Sequence, residues 1–201
     1  MTKTKKKSNG NSFLGTLAAL IILCVVLTIV SDKFLTYNNL MSVLKQTTFT
    51  ALLSTGMLLC LITAGIDLSV GANATFCACI CGMLVKGGMT NSLVLIVIAI
   101  VAGTLIGLIN GLLLTRLHLP HPFVSTLGMK NFLWGASLLV VSSQMVSGFP
   151  DGVMALGSAT IGGFPVSFII VVVIYVIMHI LLTRTSLGRS IYCAVSYTHL
   201  R

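Results

Sequence analysis

Glutamate is missing from this 201-residue chain, and aspartate occurs only three times, at Asp32, Asp67 and Asp151. Charged residues make up 7% of the sequence, against roughly a quarter in an ordinary soluble domain. So little charge cannot cover the surface of a water-soluble globule, and the scarcity excludes a soluble enzyme. The lack of glutamate also excludes a Glu carboxylate pair, a Glu general base and a calcium loop closed by Glu. No Gly-x-x-x-x-Gly-Lys-[Ser/Thr] loop is present to cradle a nucleotide's phosphates. No basic stripe interleaved with aromatics is present to bind nucleic acid. The six cysteines fall mostly inside apolar runs and read as packing residues, not as a disulfide framework.

The chain has apolar length in place of charge: 56% of its residues are hydrophobic, and its mean hydropathy is +1.08. A hydrocarbon core about 30 Å thick is crossed by roughly 20 apolar residues in a helix. Six runs approach that length, at 13–30, 49–64, 70–85, 92–115, 123–141 and 165–182, the second and third being short. The expected fold is therefore all-α, a polytopic integral membrane bundle of about six spans. The lysine-rich start resembles a signal peptide, but the first run is long, no small-x-small cleavage site follows, and Ser31-Asp32-Lys33-Phe34 reads as a helix exit. The first span is thus expected to be retained.

Orientation is read from Lys and Arg in the flanks. With the N-terminus inside, Lys3, Lys5, Lys6, Lys7, Arg116, Lys130, Arg184 and Arg189 count as cytoplasmic and Lys33, Lys45 and Lys86 as external. Without the N-terminal tail the count narrows to Arg116, Lys130, Arg184 and Arg189 against those three. The stretch 142–164 carries no Lys or Arg, as an external loop should.

Four segments stand out inside this frame. Gly103, Gly107 and Gly111 recur every four residues and give one helix a bare face suited to close helix packing; Asn110 beside them is either a packing hydrogen-bond donor or a solute ligand. Gly65-Ile66-Asp67-Leu68-Ser69-Val70-Gly71 places an ionisable residue between two glycines where a span should continue. Irregular backbone in a membrane survives only when protein buries it or it lines a watery cavity. Glycine-broken spans point to transporter binding sites; a plain turn in which Asp67 or Ser69 caps the next helix is the alternative. Pro120-His121-Pro122 breaks the chain before a fifth span beginning Phe123-Val124-Ser125-Thr126; His118 and His121 there lack the partners of a metal site. On a helix Cys79 faces away from Cys77 and Cys81, so those thiols do not converge either. Last, Thr183–Tyr192 is polar, and is either a cationic membrane anchor or a docking surface for a cytoplasmic partner.

Taken together, these segments resemble the permease subunits of bacterial ABC importers for ribose and other simple sugars, over about residues 13–194. The resemblance is carried by Gly-Ile-Asp-Leu-Ser-Val-Gly at 65–71, by Pro122, Phe123, Thr126, Leu127 and Gly128, by Thr185, Gly188 and Arg189, and by Asn38-Asn39-Leu40. It implies a separate pair of cytoplasmic ATPases that use ATP, an extracytoplasmic sugar-binding protein, a second permease chain and a place in the bacterial inner membrane. This chain would bind no cofactor or metal and would not itself be an enzyme. With that resemblance, Gly65, Asp67, Ser69, Gly71, Phe123 and Thr126 are candidates to line the translocation path, as is Asn110 from its place beside the glycine strip, and Thr185, Gly188 and Arg189 are candidates to couple to the ATPase. The implied organisation is a basic cytoplasmic tail at 1–12, the membrane domain at 13–182 and a coupling loop at 183–194. Residues 195–201 match none of the family's pattern and are expected to be a foreign or truncated end. A non-transporting assembly or anchor subunit and a channel-like helical protein are the competing readings.

Overall fold

A computed structural model describes residues 10–63, 65–116 and 122–198. His118, Pro120, His121 and the basic residues of the N-terminal tail lie outside them. The chain forms two compact units, Met1–Leu44 and Lys45–Arg201.

In the first unit, helix α1 (Gly10–Val30) is apolar on every side, and Ile21, Ile22 and Leu23 are all more than half exposed. Ser31-Asp32-Lys33-Phe34 is indeed the exit: the Phe34 N–H donates to Ser31 O at 3.1 Å and the Thr36 N–H to Lys33 O at 3.3 Å. Helix α2 (Tyr37–Ile62) then begins twelve residues before the apolar run that announced it, with the Asn39 side chain donating to Phe34 O at 2.7 Å near its start. The second helix is accordingly long, where hydropathy made it short. Hydropathy marks the part of a helix that suits lipid, and the polar Tyr37–Thr48 stretch is helical without meeting that test.

The second unit is organised around α3 (Val70–Lys86), flanked by α4 (Ser92–Arg116) and α5 (Pro122–Val140). Antiparallel packing of α3 on α4 is fixed at three levels: Asn110 Nδ2 donates to Ser69 Oγ at 2.7 Å, Asn73 Nδ2 to Gly103 O at 3.2 Å, and Cys81 Sγ to Leu95 O at 3.5 Å. Small residues make this close approach possible, as membrane helix contacts require: Ala72, Cys77 and Cys81 are buried, with Leu95 and Leu133 filling the remaining space. Helix α5 runs parallel to α3, since Thr126 near its start reaches Ile66 O just before α3.

The outward surfaces decide the environment. Helices α4 and α7 (Val166–Arg184) have mean hydropathies of 2.9 and 2.8 with only 6% and 11% of their apolar windows buried. Leu93, Val97, Ile100, Leu105 and Leu108 on α4 all stand more than half exposed. Each such side chain gains about 1.5–3 kcal/mol on leaving water, so their sum far exceeds the cost of an occasional polar group. These faces are lipid-facing, and the molecule is a helical membrane bundle.

Three elements escape hydropathy. The stretch 142–164 contains α6 (Asp151–Ser158), with Asp151 favourably placed at its positive N-terminal end. It then enters a hairpin of β1 (Thr160–Ile161) and β2 (Phe164–Pro165). Gly162 and Gly163 take φ of +59° and +86° in the hairpin turn, the mirror-image turn geometry that glycine permits. The Lys45 ammonium on α2 donates to Ser158 O at 2.9 Å, capping the end of α6. Residues 183–194, read above as a loop, are mostly helical: α8 (Ser186–Thr198) starts one residue after α7 ends and its cap. Lys130 is also misplaced by the flank count. It is the ninth of the 19 residues of α5 and belongs to the span itself.

Candidate functional site

The Gly65–Gly71 segment is helix-free only as far as Ser69. Helix α2 is closed by the Gly65 N–H donating to Cys60 O at 2.9 Å, a six-residue closure of the kind that ends helices. The Thr63 hydroxyl donates to the same carbonyl at 2.9 Å. The Ile66 carbonyl, outside both α2 and α3, accepts from Thr126 Oγ1 on α5 at 3.1 Å. That hydroxyl also lies 3.1 Å from Pro122 O and 3.3 Å from Phe123 O, so one proton is shared among three acceptors at a side chain only 2% exposed. A threonine four residues after the proline is what ties the irregular segment to α5.

Asp67 acts on the segment from within. Its Oδ1 accepts the Ser69 N–H at 2.8 Å and the Ser69 hydroxyl at 2.7 Å, a turn that aspartate makes with its own backbone two residues on. Ser69 therefore makes no side-chain cap of α3; the capping oxygen is that of Asp67. With its proton committed to Asp67, the Ser69 hydroxyl accepts from Asn110 Nδ2 at 2.7 Å. This order of donors fixes the Asn110 amide and leaves its Oδ1 without a partner, although the residue is only 5% exposed. A buried acceptor without a donor is rare and calls for an explanation. Asn110 also borders a cavity of about 280 Å³ with Asp67, Thr126, Gly65, Gly107 and Gly111.

The glycine strip of α4 divides in two. Gly103 lies against α3, where a Cβ would stand 3.6 Å from Cys77 Sγ. At Gly107 and Gly111 a Cβ would meet nothing within 4 Å, and both open onto the Asp67 cavity. Among the path candidates, Gly65, Asp67, Asn110 and Thr126 come together there, and Ser69 sits behind them as the link. Gly71 borders a different cavity, and Phe123, 48% exposed, borders neither.

The third motif forms an elbow between α7 and α8. The Thr185 hydroxyl donates to Leu181 O at 2.6 Å and accepts the Gly188 N–H at 3.2 Å, which caps the first turn of α8. A Cβ on Gly188 would collide with Leu182 O and stand 2.5 Å from Leu181 O. Threonine and glycine three apart thus build the bend, and Arg189 projects from it exposed. Sequence reasoning missed Lys130 and Trp134, which border the cavity that Gly71 enters; the available signal was a lysine inside an apolar run.

Residues 39–195 match the family model described as branched-chain amino acid transport system / permease component. The chain is 31% identical to the D-allose transport system permease protein of Escherichia coli K12, over 94% of this chain and 59% of that protein. It is 33% identical to the ribose import permease protein of Bacillus subtilis 168, over 89% of this chain and 56% of the relative. With the autoinducer 2 import system permease protein of Photorhabdus laumondii the figures are 29%, 93% and 56%. The chain therefore spans somewhat more than half the length of these curated relatives. No solved structure matches it.

Proposed function

Because the chain belongs to the branched-chain amino acid transport system permease family, we propose that it is a membrane-spanning permease subunit of an ATP-driven importer in the bacterial inner membrane. Its cargo on this reading is ribose or another simple sugar, delivered by an extracytoplasmic binding protein. A cytoplasmic pair of ABC ATPases supplies the energy, and a second permease chain, identical or related, completes the path. The chain holds no cofactor and catalyses no reaction of its own. The end bearing Arg116, Arg184 and Arg189, like the lysine-rich N-terminus, faces the cytoplasm, in keeping with the positive-inside rule.

The observation that carries this reading is the helix-free segment before α3. The aspartate, asparagine and threonine that hold this segment, linked through Ser69 behind them, also border a 280 Å³ space, and a path for a hydroxylated solute needs such a lining. The α7–α8 elbow supports the second half of the proposal. Its hydrogen bonds and its packed glycine make it stiff enough to pass a push from an ATPase docked at Arg189 into α7, and so rock the bundle between inward-open and outward-open states.

The test uses the longest reading frame containing this sequence, co-expressed with an ABC ATPase and a secreted binding protein from the same locus and reconstituted in lipid vesicles. ATP-dependent uptake of labelled ribose or a related monosaccharide is expected. Absence of both uptake and a co-purifying ATPase would overturn the reading.

A further inference from the structure

The bundle itself gives no reason for Lys130. Its depth follows from the contacts already described. Asn110 lies six residues, about 9 Å at 1.5 Å per residue, from the Arg116 end of α4. Thr126 is level with Asn110, because both are tied to the Ile66–Ser69 segment. Lys130 is one turn further along α5, about 6 Å. It stands about 15 Å along the bundle from the Arg116 end, inside a hydrocarbon core about 30 Å thick. An ammonium there costs about 2.5–3.5 kcal/mol on insertion scales, and such residues face a watery cavity or an opposite charge. No side chain supplies the charge: the described residues offer Lys130 neither an ion pair nor a hydrogen bond, and the Asp67 carboxylate is turned to Ser69.

Lys130 borders a cavity of about 490 Å³ between α3 and α5, within the range of small-molecule sites. Trp134, one turn along α5, and Ser137 border it from the same face, opposite Gly71 and Thr75 on α3. The Thr75 hydroxyl donates to Gly71 O at 3.0 Å and the Ser137 hydroxyl to Leu133 O at 2.7 Å, so each keeps lone pairs with which to accept. Lys130 and Trp134 carry the donors of the lining. A Cβ on Gly71 would meet nothing within 4 Å, and its absence keeps the cavity open. An aromatic face, donors, acceptors and one uncompensated positive charge match a hydroxylated ring that carries a carboxylate.

We propose that this cavity binds a sugar acid, with its carboxylate on Lys130, its ring against Trp134 and its hydroxyls on Thr75 and Ser137. A lipid headgroup is disfavoured by the depth of the site. The proposal rests on the permease reading and narrows its substrate class from neutral sugars to anionic ones.

Trp134 is the single tryptophan of these 201 residues, so a change in tryptophan fluorescence that is lost in Trp134→Phe reports on this cavity. The protein in lipid nanodiscs is titrated with D-galacturonate and with D-galactose, which differ by the carboxylate. Galacturonate should give a saturable change with an apparent affinity about tenfold or more above that of galactose. Lys130→Met should remove that preference by about tenfold, while Lys130→Arg keeps it. Methionine suits a membrane span, and the arginine variant controls for the fold. Equal affinities, no saturable response to galacturonate, or a response unchanged in Lys130→Met each overturns the proposal. Uptake of a neutral sugar without galacturonate binding defeats this inference and leaves the permease reading standing. Galacturonate binding without any ATP-dependent uptake does the reverse.

Discussion

The chain is interrupted before α3 and again before α8, and the two interruptions are built in opposite ways. At the elbow every group is used: Thr185 both donates and accepts, and the Gly188 Cα is packed against the last carbonyls of α7. At the α2–α3 break the hydrogen bonds run in one direction, from Asn110 through Ser69 to Asp67, and the Asn110 Oδ1 at their start is an acceptor that nothing fills. Beside it two glycines of α4 border empty space. The contrast separates a joint that transmits force from a lining that exchanges partners. A glycine closes the structure in the first and opens it in the second.

Substitutions that exchange these properties test the contrast. The largest effect is expected at the elbow: Gly188→Ala drives a methyl into backbone carbonyls, and a loss of about 3 kcal/mol is expected. It should lower the thermal midpoint in detergent and abolish co-purification of the ATPase. Thr126→Val comes next, since it removes the buried hydroxyl that donates to the Ile66 carbonyl, at a cost of about 1–3 kcal/mol; Thr126→Ser, which keeps the hydroxyl, should recover most of it. Asn110→Ala removes one hydrogen bond and the orphan acceptor together, so stability should change by no more than about 1 kcal/mol. Uptake should nonetheless fall about tenfold or more, and uptake equal to wild type would make Asn110 a packing residue. The smallest change in stability is expected for Arg189→Ala, within about 0.5 kcal/mol for an exposed side chain. Its effect belongs on ATPase association, measured by pull-down, and equal loss of insertion and association would reduce the residue to a membrane anchor.

Much of this architecture is legible in the sequence because lipid leaves the chain few choices. The first, third, fourth, fifth and last spans fall within a few residues of the apolar runs that mark them. The second does not, because Tyr37–Thr48 is helical but polar, and hydropathy sees only the apolar portion. α6, α8 and the hairpin lie outside the apolar runs and depend on local groups: Gly162 and Gly163 for the turn, Thr185 and Gly188 for the bend. The irregular Gly65–Gly71 segment was visible as glycines around an aspartate. Its partners were not, since spacing along α4 and α5 does not say that Asn110 reaches Ser69 or that Thr126 reaches Ile66. The regular glycine spacing of α4 suggested one continuous packing face. Only Gly103 packs on α3, because Gly107 and Gly111 border the cavity instead.

The central claim is that the break before α3 lines a path open to solute. Cys60 borders that cavity, so it reports on the claim directly in a variant whose other cysteines are replaced. In vesicles containing the complete transporter, Cys60 should react with a membrane-impermeant cationic thiol reagent, and ATP together with loaded binding protein should change that rate about tenfold. A Cys60 that never reacts, or reacts at one rate in every state, would contradict the account.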